Sequence, residues 1–128
     1  VSVYESYGSR KLIHNMLRAY ISPSMGEHSI DGIFTSSDHL AMIVQEELEE
    51  MGKRVPEDIQ IIGYDGLQFL NQGKPIVSSI AQPVHEIAKE AVRCLNELIA
   101  NGKTEGNTKI PVSFQEGPTT KTLVTEEK

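Results

Sequence analysis

The chain has no tryptophan, few aromatic residues of any kind and a single cysteine. One thiol excludes an intrachain disulfide, and Cys94, on an apolar helical stripe, reads as a buried thiol in a reducing compartment. Aromatics make up 5% of residues against 38% hydrophobic overall. The interior must therefore be built from Ile, Leu, Val, Ala and Met, which suits helices packed on a parallel sheet. Clustered positive charge is also missing. The longest basic runs are pairs, Arg10-Lys11 and Lys53-Arg54, and the formal net charge is −6, so this segment lacks the cations that displace counterions from a phosphate backbone. Any DNA binding falls to another segment. No apolar run approaches the ~20 residues that span a bilayer, and no cationic leader precedes a hydrophobic segment. The chain reads as soluble, without a membrane partner, and its opening Val1-Ser2-Val3-Tyr4 reads as the middle of a longer protein.

What is present is an alternation of strand and helix. At 128 residues the chain is one compact unit or a piece of a larger one. Val1 to Glu5 is β-prone, and Leu12, Ile13, Met16, Leu17 and Tyr20 fall at helical spacing between Ser9 and Tyr20. Ile21 to Ser29 is a loop with Pro23 and Gly26, and Ile30 to Thr35 reads as a strand before a Ser/Asp helix cap. Leu40, Ala41, Val44, Leu48 and Met51 form the next stripe, closed by Gly52. Turn residues Val55 to Asp58 precede Ile59 to Tyr64, a near-continuous apolar strand of the kind buried on both faces of a parallel sheet. After Asp65 the period is lost until a strand from Ile76 to Ala81. Pro83 then suits a first helical turn. The longest helix follows, with Val84, Ile87, Ala88, Ala91, Val92, Leu95, Leu98 and Ile99 on one face and Asn101-Gly102 as its stop. Ile110 to Gln115 is a last strand before a polar, frayed tail. This order predicts an α/β fold, a doubly wound parallel sheet with right-handed crossovers.

In such sheets ligands bind beyond the carboxyl ends of the strands. Asp38 stands just past the second strand and Asp65 just past the third. Carboxylates there accept paired hydrogen bonds from vicinal hydroxyls, the recognition a neutral sugar requires. Ser36-Ser37-Asp38-His39 carries the residue types of a nucleophilic triad, but sequence neighbours cannot reach the relay geometry, and no Gly-x-Ser-x-Gly elbow is present. Ser37 or Asp38 as a helix cap accounts for the run. His85-Glu86-Ile87-Ala88-Lys89 begins like a zinc-protease helix, yet Lys89 replaces the second His, so no metal is expected. Gly102-Lys103-Thr104 resembles the end of a phosphate loop but closes a helix instead of opening one. Asp65-Gly66 leaves open an aspartyl-phosphate acceptor or a hydrolase on a doubly wound sheet, although the accompanying carboxylates, hydroxyl and Lys cannot be assigned. The apolar loop residues Leu67, Phe69 and Leu70 either fold back on the core or join a subunit interface.

Three segments, in order and spacing, carry a resemblance: Asp31-Gly32-Ile33-Phe34-Thr35-Ser36-Ser37-Asp38-His39-Leu40-Ala41, then Gly52-Lys53-Arg54-Val55-Pro56-Glu57-Asp58-Ile59-Gln60-Ile61-Ile62-Gly63-Tyr64-Asp65, then Pro75-Ile76-Val77-Ser78-Ser79-Ile80-Ala81-Gln82-Pro83. Together they resemble the C-terminal part of the effector-binding core of the LacI/GalR family of bacterial transcription regulators, over about Val3 to Thr120, a resemblance that admits a regulator of a sugar operon of the ribose or sucrose type. The resemblance implies a periplasmic-binding-protein-like fold of two subdomains with a small-molecule effector, commonly a sugar or nucleobase, in the cleft between them. It implies a cytoplasmic homodimer that is not an enzyme and needs no cofactor, and an N-terminal helix-turn-helix domain, absent from this chain, that binds operator DNA. It places Asp65, Asp38, Ser37 and Gln82 at the ligand and Leu40, Val44, Leu67, Phe69 and Leu70 at the dimer interface. It assigns residues 1–75 and 110–120 to the C-terminal subdomain and 76–109 to a crossover strand and helix, with 121–128 a frayed tail. Ser78-Ser79 stands where Thr-Thr is usual, and Glu116 to Thr120 lacks the common Arg. The alternative is a periplasmic-type sugar-binding protein of a transport or chemoreceptor system.

In that family the helix from Pro83 to Ala100 packs on a subdomain this chain does not include. Burying its eight stripe residues is worth on the order of 10 kcal/mol. The expectation is that an isolated chain folds this helix back, swaps it between subunits or self-associates.

Overall fold

The computed structural model describes residues 9–21, 30–66, 74–104 and 107–122. The expected first strand at 1–5, loop residues 22–29, the apolar residues Leu67, Phe69 and Leu70, and the tail from 123 lie outside them.

The chain runs α1 (Arg10–Ile21), β1 (Gly32–Phe34), α2 (Asp38–Glu50), β2 (Gln60–Asp65), β3 (Ser78–Ala81), α3 (Val84–Asn101), β4 (Ser113–Gln115). The sheet order is β1-β2-β3-β4. The first three strands are parallel, with Ile33 opposite Ile61 and Asp65 opposite Ala81, while β4 is antiparallel to β3 with Ile80 opposite Phe114. The α/β class read from the sequence holds, and the sheet is mixed: a parallel body with one antiparallel edge, because the chain returns from α3 against the direction of β3.

The core lies on one face. Ile13 and Leu17 of α1 meet Ala41, Val44 and Leu48 of α2, with Ile59, Ile61 and Val77 beneath. The helical periods predicted this set well, since two apolar residues one turn apart point to the same side. Polar pairs clamp α1 on α2: His14 Nδ1 lies 2.8 Å from Oε2 of the buried Glu47, and Arg10 pairs with Glu46 and Glu47. Gly52, at φ 76°, ends α2 in the left-handed turn its Cβ-free backbone allows.

Four expectations change. Along β2 only Ile61 and Gly63 are buried, and Gln60, Ile62 and Tyr64 stay half-buried, so among the described residues this strand is covered on one face, not two. The other face carries a shallow concavity lined by Gly32, Ile33, Phe34, Gln60, Ile62 and Thr120. Pro83 is the N-cap of α3 and not part of its first turn. The segment after β4 is not frayed at its start: Thr119 is fully buried, its Oγ1 donates to the Ile61 carbonyl at 2.7 Å and accepts from the Ser78 amide at 2.8 Å, and the Lys121 amide donates to Gln60 Oε1 at 2.8 Å. Lastly, of the three arrangements expected for α3, folding back onto its own chain is not seen among the described residues. None of its residues is buried, and Ile99 is 75% and Val84 66% exposed.

Candidate functional site

Because β1, β2 and β3 are parallel, their carboxyl ends lie along one edge, and the residues that follow them meet there. Asp65 ends β2. Gln82 follows the last residue of β3, Ala81, which is the register partner of Asp65. The side-chain Nε2 of Gln82 donates to Asp65 Oδ1 at 2.8 Å, and its backbone N–H donates to the Asp65 carbonyl at 3.3 Å. The two sequence-derived candidates are thus brought together. Asp65 is half-buried.

The backbone at Asp65 has φ 111°, and the next residue, Gly66, has φ 77°. A positive φ is ordinary for glycine and costly for aspartate. Such geometry persists only where surrounding structure over-determines it, and it concentrates at ligand sites. Gly66 cannot be replaced without collision: a Cβ there would lie 2.6 Å from the Ala81 Cβ.

Asp38 and Ser37 occupy the same edge through β1 and α2, where both make structural bonds. Ser37 caps α2, its Oγ accepting from the Leu40 amide at 3.2 Å. Asp38 is 5% exposed. Its Oδ1 accepts from the Ser79 hydroxyl at 2.5 Å and its Oδ2 from the Gly66 amide at 2.8 Å. Gly63 makes room for it, since a Cβ there would lie 2.3 Å from Asp38 Oδ1. The sequence reading set Asp38 at the ligand, and the structure places it beneath the surface, bonded to the turn that carries Asp65.

Two residues of this region were not singled out from sequence. Ser79 is 1% exposed and donates into Asp38. Gln115, opposite Ser79 in β4, has a buried Oε1 without a protein partner among the described residues, close to Gly66. A pair of small hydroxyl residues inside an otherwise apolar strand was the available signal for Ser79, because a strand interior tolerates a hydroxyl only where it finds a bond. Nothing in sequence marks Gln115.

Val44, expected at a subunit interface, is 5% exposed and packed in the core of its own chain. The α1 helix already covers the face of α2 that carries it. Leu40 is half-buried against the same core. Among the described residues no group of three or more His, Cys, Asp or Glu is placed to hold a metal ion, and no helix is long and apolar enough to cross a membrane.

A description of the periplasmic binding protein-like domain matches residues 2–120. The ribose operon repressor of Bacillus subtilis is 44% identical over 69 residues, 54% of this chain and 21% of that protein. Among solved structures, a LacI family transcriptional regulator from Enterococcus faecium with bound ribose aligns at TM-score 0.65 and 30% identity, over 91% of this chain and 42% of that one. Another from Arthrobacter sp. FB24, in complex with lactose, aligns at TM-score 0.67 and 29% identity, over 88% and 40%. The chain spans between a fifth and a third of the length of the curated relatives it matches.

Proposed function

The chain belongs to the periplasmic binding protein-like family, and from that premise we propose that it forms the C-terminal part of the sugar-sensing core of a LacI/GalR-type transcription regulator. The observation that carries the reading is Asp65: a carboxylate at the carboxyl end of a parallel strand, held at φ 111° and oriented by Gln82. A bidentate acceptor in a fixed orientation suits the vicinal hydroxyls of a neutral sugar. Ribose is the first candidate, in keeping with the ribose operon repressors and the ribose-bound regulator among its relatives.

In this reading the cleft closes on the effector, with Asp65 and Gln82 on one wall and a subdomain outside this chain on the other. The effector binds the closed form better and shifts the population toward it. Closure changes how two copies of the protein sit together, and so the affinity of a separate DNA-binding domain for its operator. This chain contributes no DNA contact, consistent with its net charge of −6. The protein acts in the cytoplasm, as a homodimer, and catalyses no reaction.

The test is calorimetric titration of the complete protein with D-ribose, sucrose, lactose and a nucleobase. Saturable binding of a sugar, abolished by Asp65→Ala, is the expected result. Absence of binding to any sugar, or full affinity in Asp65→Ala, refutes the reading.

A further inference from the structure

Asp65 is bonded to Gln82 on one side, and on the other its strained backbone is anchored through Gly66. The Gly66 N–H is shared between Asp38 Oδ2 at 2.8 Å and Ser79 Oγ at 3.1 Å, and the Ser79 hydroxyl donates to Asp38 Oδ1 at 2.5 Å. These three bonds close a ring between the start of α2, the turn after β2 and the middle of β3. Asp38 and Ser79 are both buried, so neither presents its polar atoms to a ligand at the surface.

The ring does something the local chain cannot. Two successive residues, Asp65 and Gly66, hold positive φ, and only the glycine adopts it freely. Aspartate left to itself relaxes toward negative φ and carries its carboxylate with it. Hydrogen bonds into a carboxylate are stronger and more directional than neutral ones. The Asp38 carboxylate therefore fixes the Gly66 amide plane, and with it the residue before. Ser79 completes the arrangement by holding the other carboxylate oxygen, so that Asp38 cannot rotate away.

We propose that Ser79 and Asp38 are positioning residues of the ligand site, which keep Asp65 in its binding orientation by clamping the Gly66 amide. The proposal rests on the reading that Asp65 contacts the effector. It predicts that removing one buried hydroxyl, away from any ligand, weakens sugar binding.

The experiment uses the complete protein, D-ribose titrated by calorimetry well below the melting temperature, and the Gly66 amide resonance in a 15N-glycine sample. Ser79→Ala is expected to move the Gly66 amide proton upfield and to weaken ribose binding about tenfold or more, as loss of a bond to a charged group does. Ser79→Thr, which keeps the hydroxyl, is expected to restore both. A folded Ser79→Ala protein with unchanged ribose affinity overturns the proposal. Should Ser79→Ala not fold, Asp38→Asn decides: a shifted Gly66 resonance with weaker binding supports the clamp, and wild-type behaviour refutes it. If the wild-type protein itself binds no ribose, that defeats the ribose reading alone; the clamp then stands or falls on whether the Gly66 resonance moves in Ser79→Ala.

Discussion

Gln82 bonds Asp65 twice, from its side-chain Nε2 to Oδ1 at 2.8 Å and from its backbone N–H to the carbonyl at 3.3 Å. The ends of β2 and β3 thus converge on one carboxylate, and a side chain just past β3 sets its orientation. Gln82→Ala is expected to lower ribose affinity in the complete protein by about fivefold to tenfold, the effect of one neutral-to-charged hydrogen bond partly replaced by water. Calorimetry reads it directly, and an unchanged affinity counts against Gln82 as the orienting group.

The Asp65 backbone is in a region costly for a residue with a side chain. At φ 111° glycine is the comfortable residue, so Asp65→Gly should be more stable than Asp65→Ala by about 1–2 kcal/mol of unfolding free energy. Both should lose sugar binding. Urea denaturation of the two variants side by side checks the order, and Ala equal to Gly would show that the backbone there is not strained.

Gly63 is needed for contact and not for flexibility. A Cβ at that position would lie 2.3 Å from Asp38 Oδ1 and 3.1 Å from the Asp38 Cα, so Gly63→Ala must push α2 away from β2. A cost of about 1–3 kcal/mol, typical of overpacking, is expected in chemical denaturation. The same shift breaks the bonds from Asp38, so binding should fall as well.

Thr119→Val removes one hydroxyl and no volume. It leaves the Ile61 carbonyl and the Ser78 amide without the partner they share, at 2.7 and 2.8 Å. Each buried orphan costs about 1–3 kcal/mol. Unfolding free energy should therefore fall by several times what a surface Thr→Val change produces, and a loss within ~0.5 kcal/mol would contradict the bond pattern.

Glu90 supplies a pH signature. Hydrogen bonds from Arg93 and then from Thr108 pull its carboxyl from 4.5 down to about 2. A depressed carboxyl stabilises the fold fully above its ordinary value and loses that contribution as pH falls through the folded one. The link between α3 and Thr108 should accordingly weaken between about pH 4.5 and 2. Carbon-detected titration of the Glu90 carboxyl checks this, with Arg93→Ala expected to return the midpoint toward 4.5.

Local pattern decided a good deal. Helical spacing of Ile13 with Leu17, and of Ala41 with Val44 and Leu48, marked residues that are buried, because a stripe repeating every turn has one side to face. Strand ends followed by Asp65 and by Gln82 marked the carboxyl edge of the sheet, because parallel strands put those ends together. The left-handed turns at Gly52 and Gly102 were legible for the same local reason.

What neighbours in space do was not legible. That Ser79 and Gly66, 41 and 28 residues away, bond the two oxygens of Asp38 could not be read from the sequence. Val44 looked available for a subunit contact until α1 covered it. Thr119 looked like part of a loose tail until its hydroxyl was seen between two strands. In each case a side chain's role depends on which partner claims its hydrogen bonds or its surface. That partner is chosen by tertiary packing, which periodicity and composition do not encode. Sequence alone determined that Asp65 stands at the carboxyl edge of the parallel strands; only the folded chain decided that its side chain is bonded by Gln82 and that its backbone turn is bonded to a buried carboxylate.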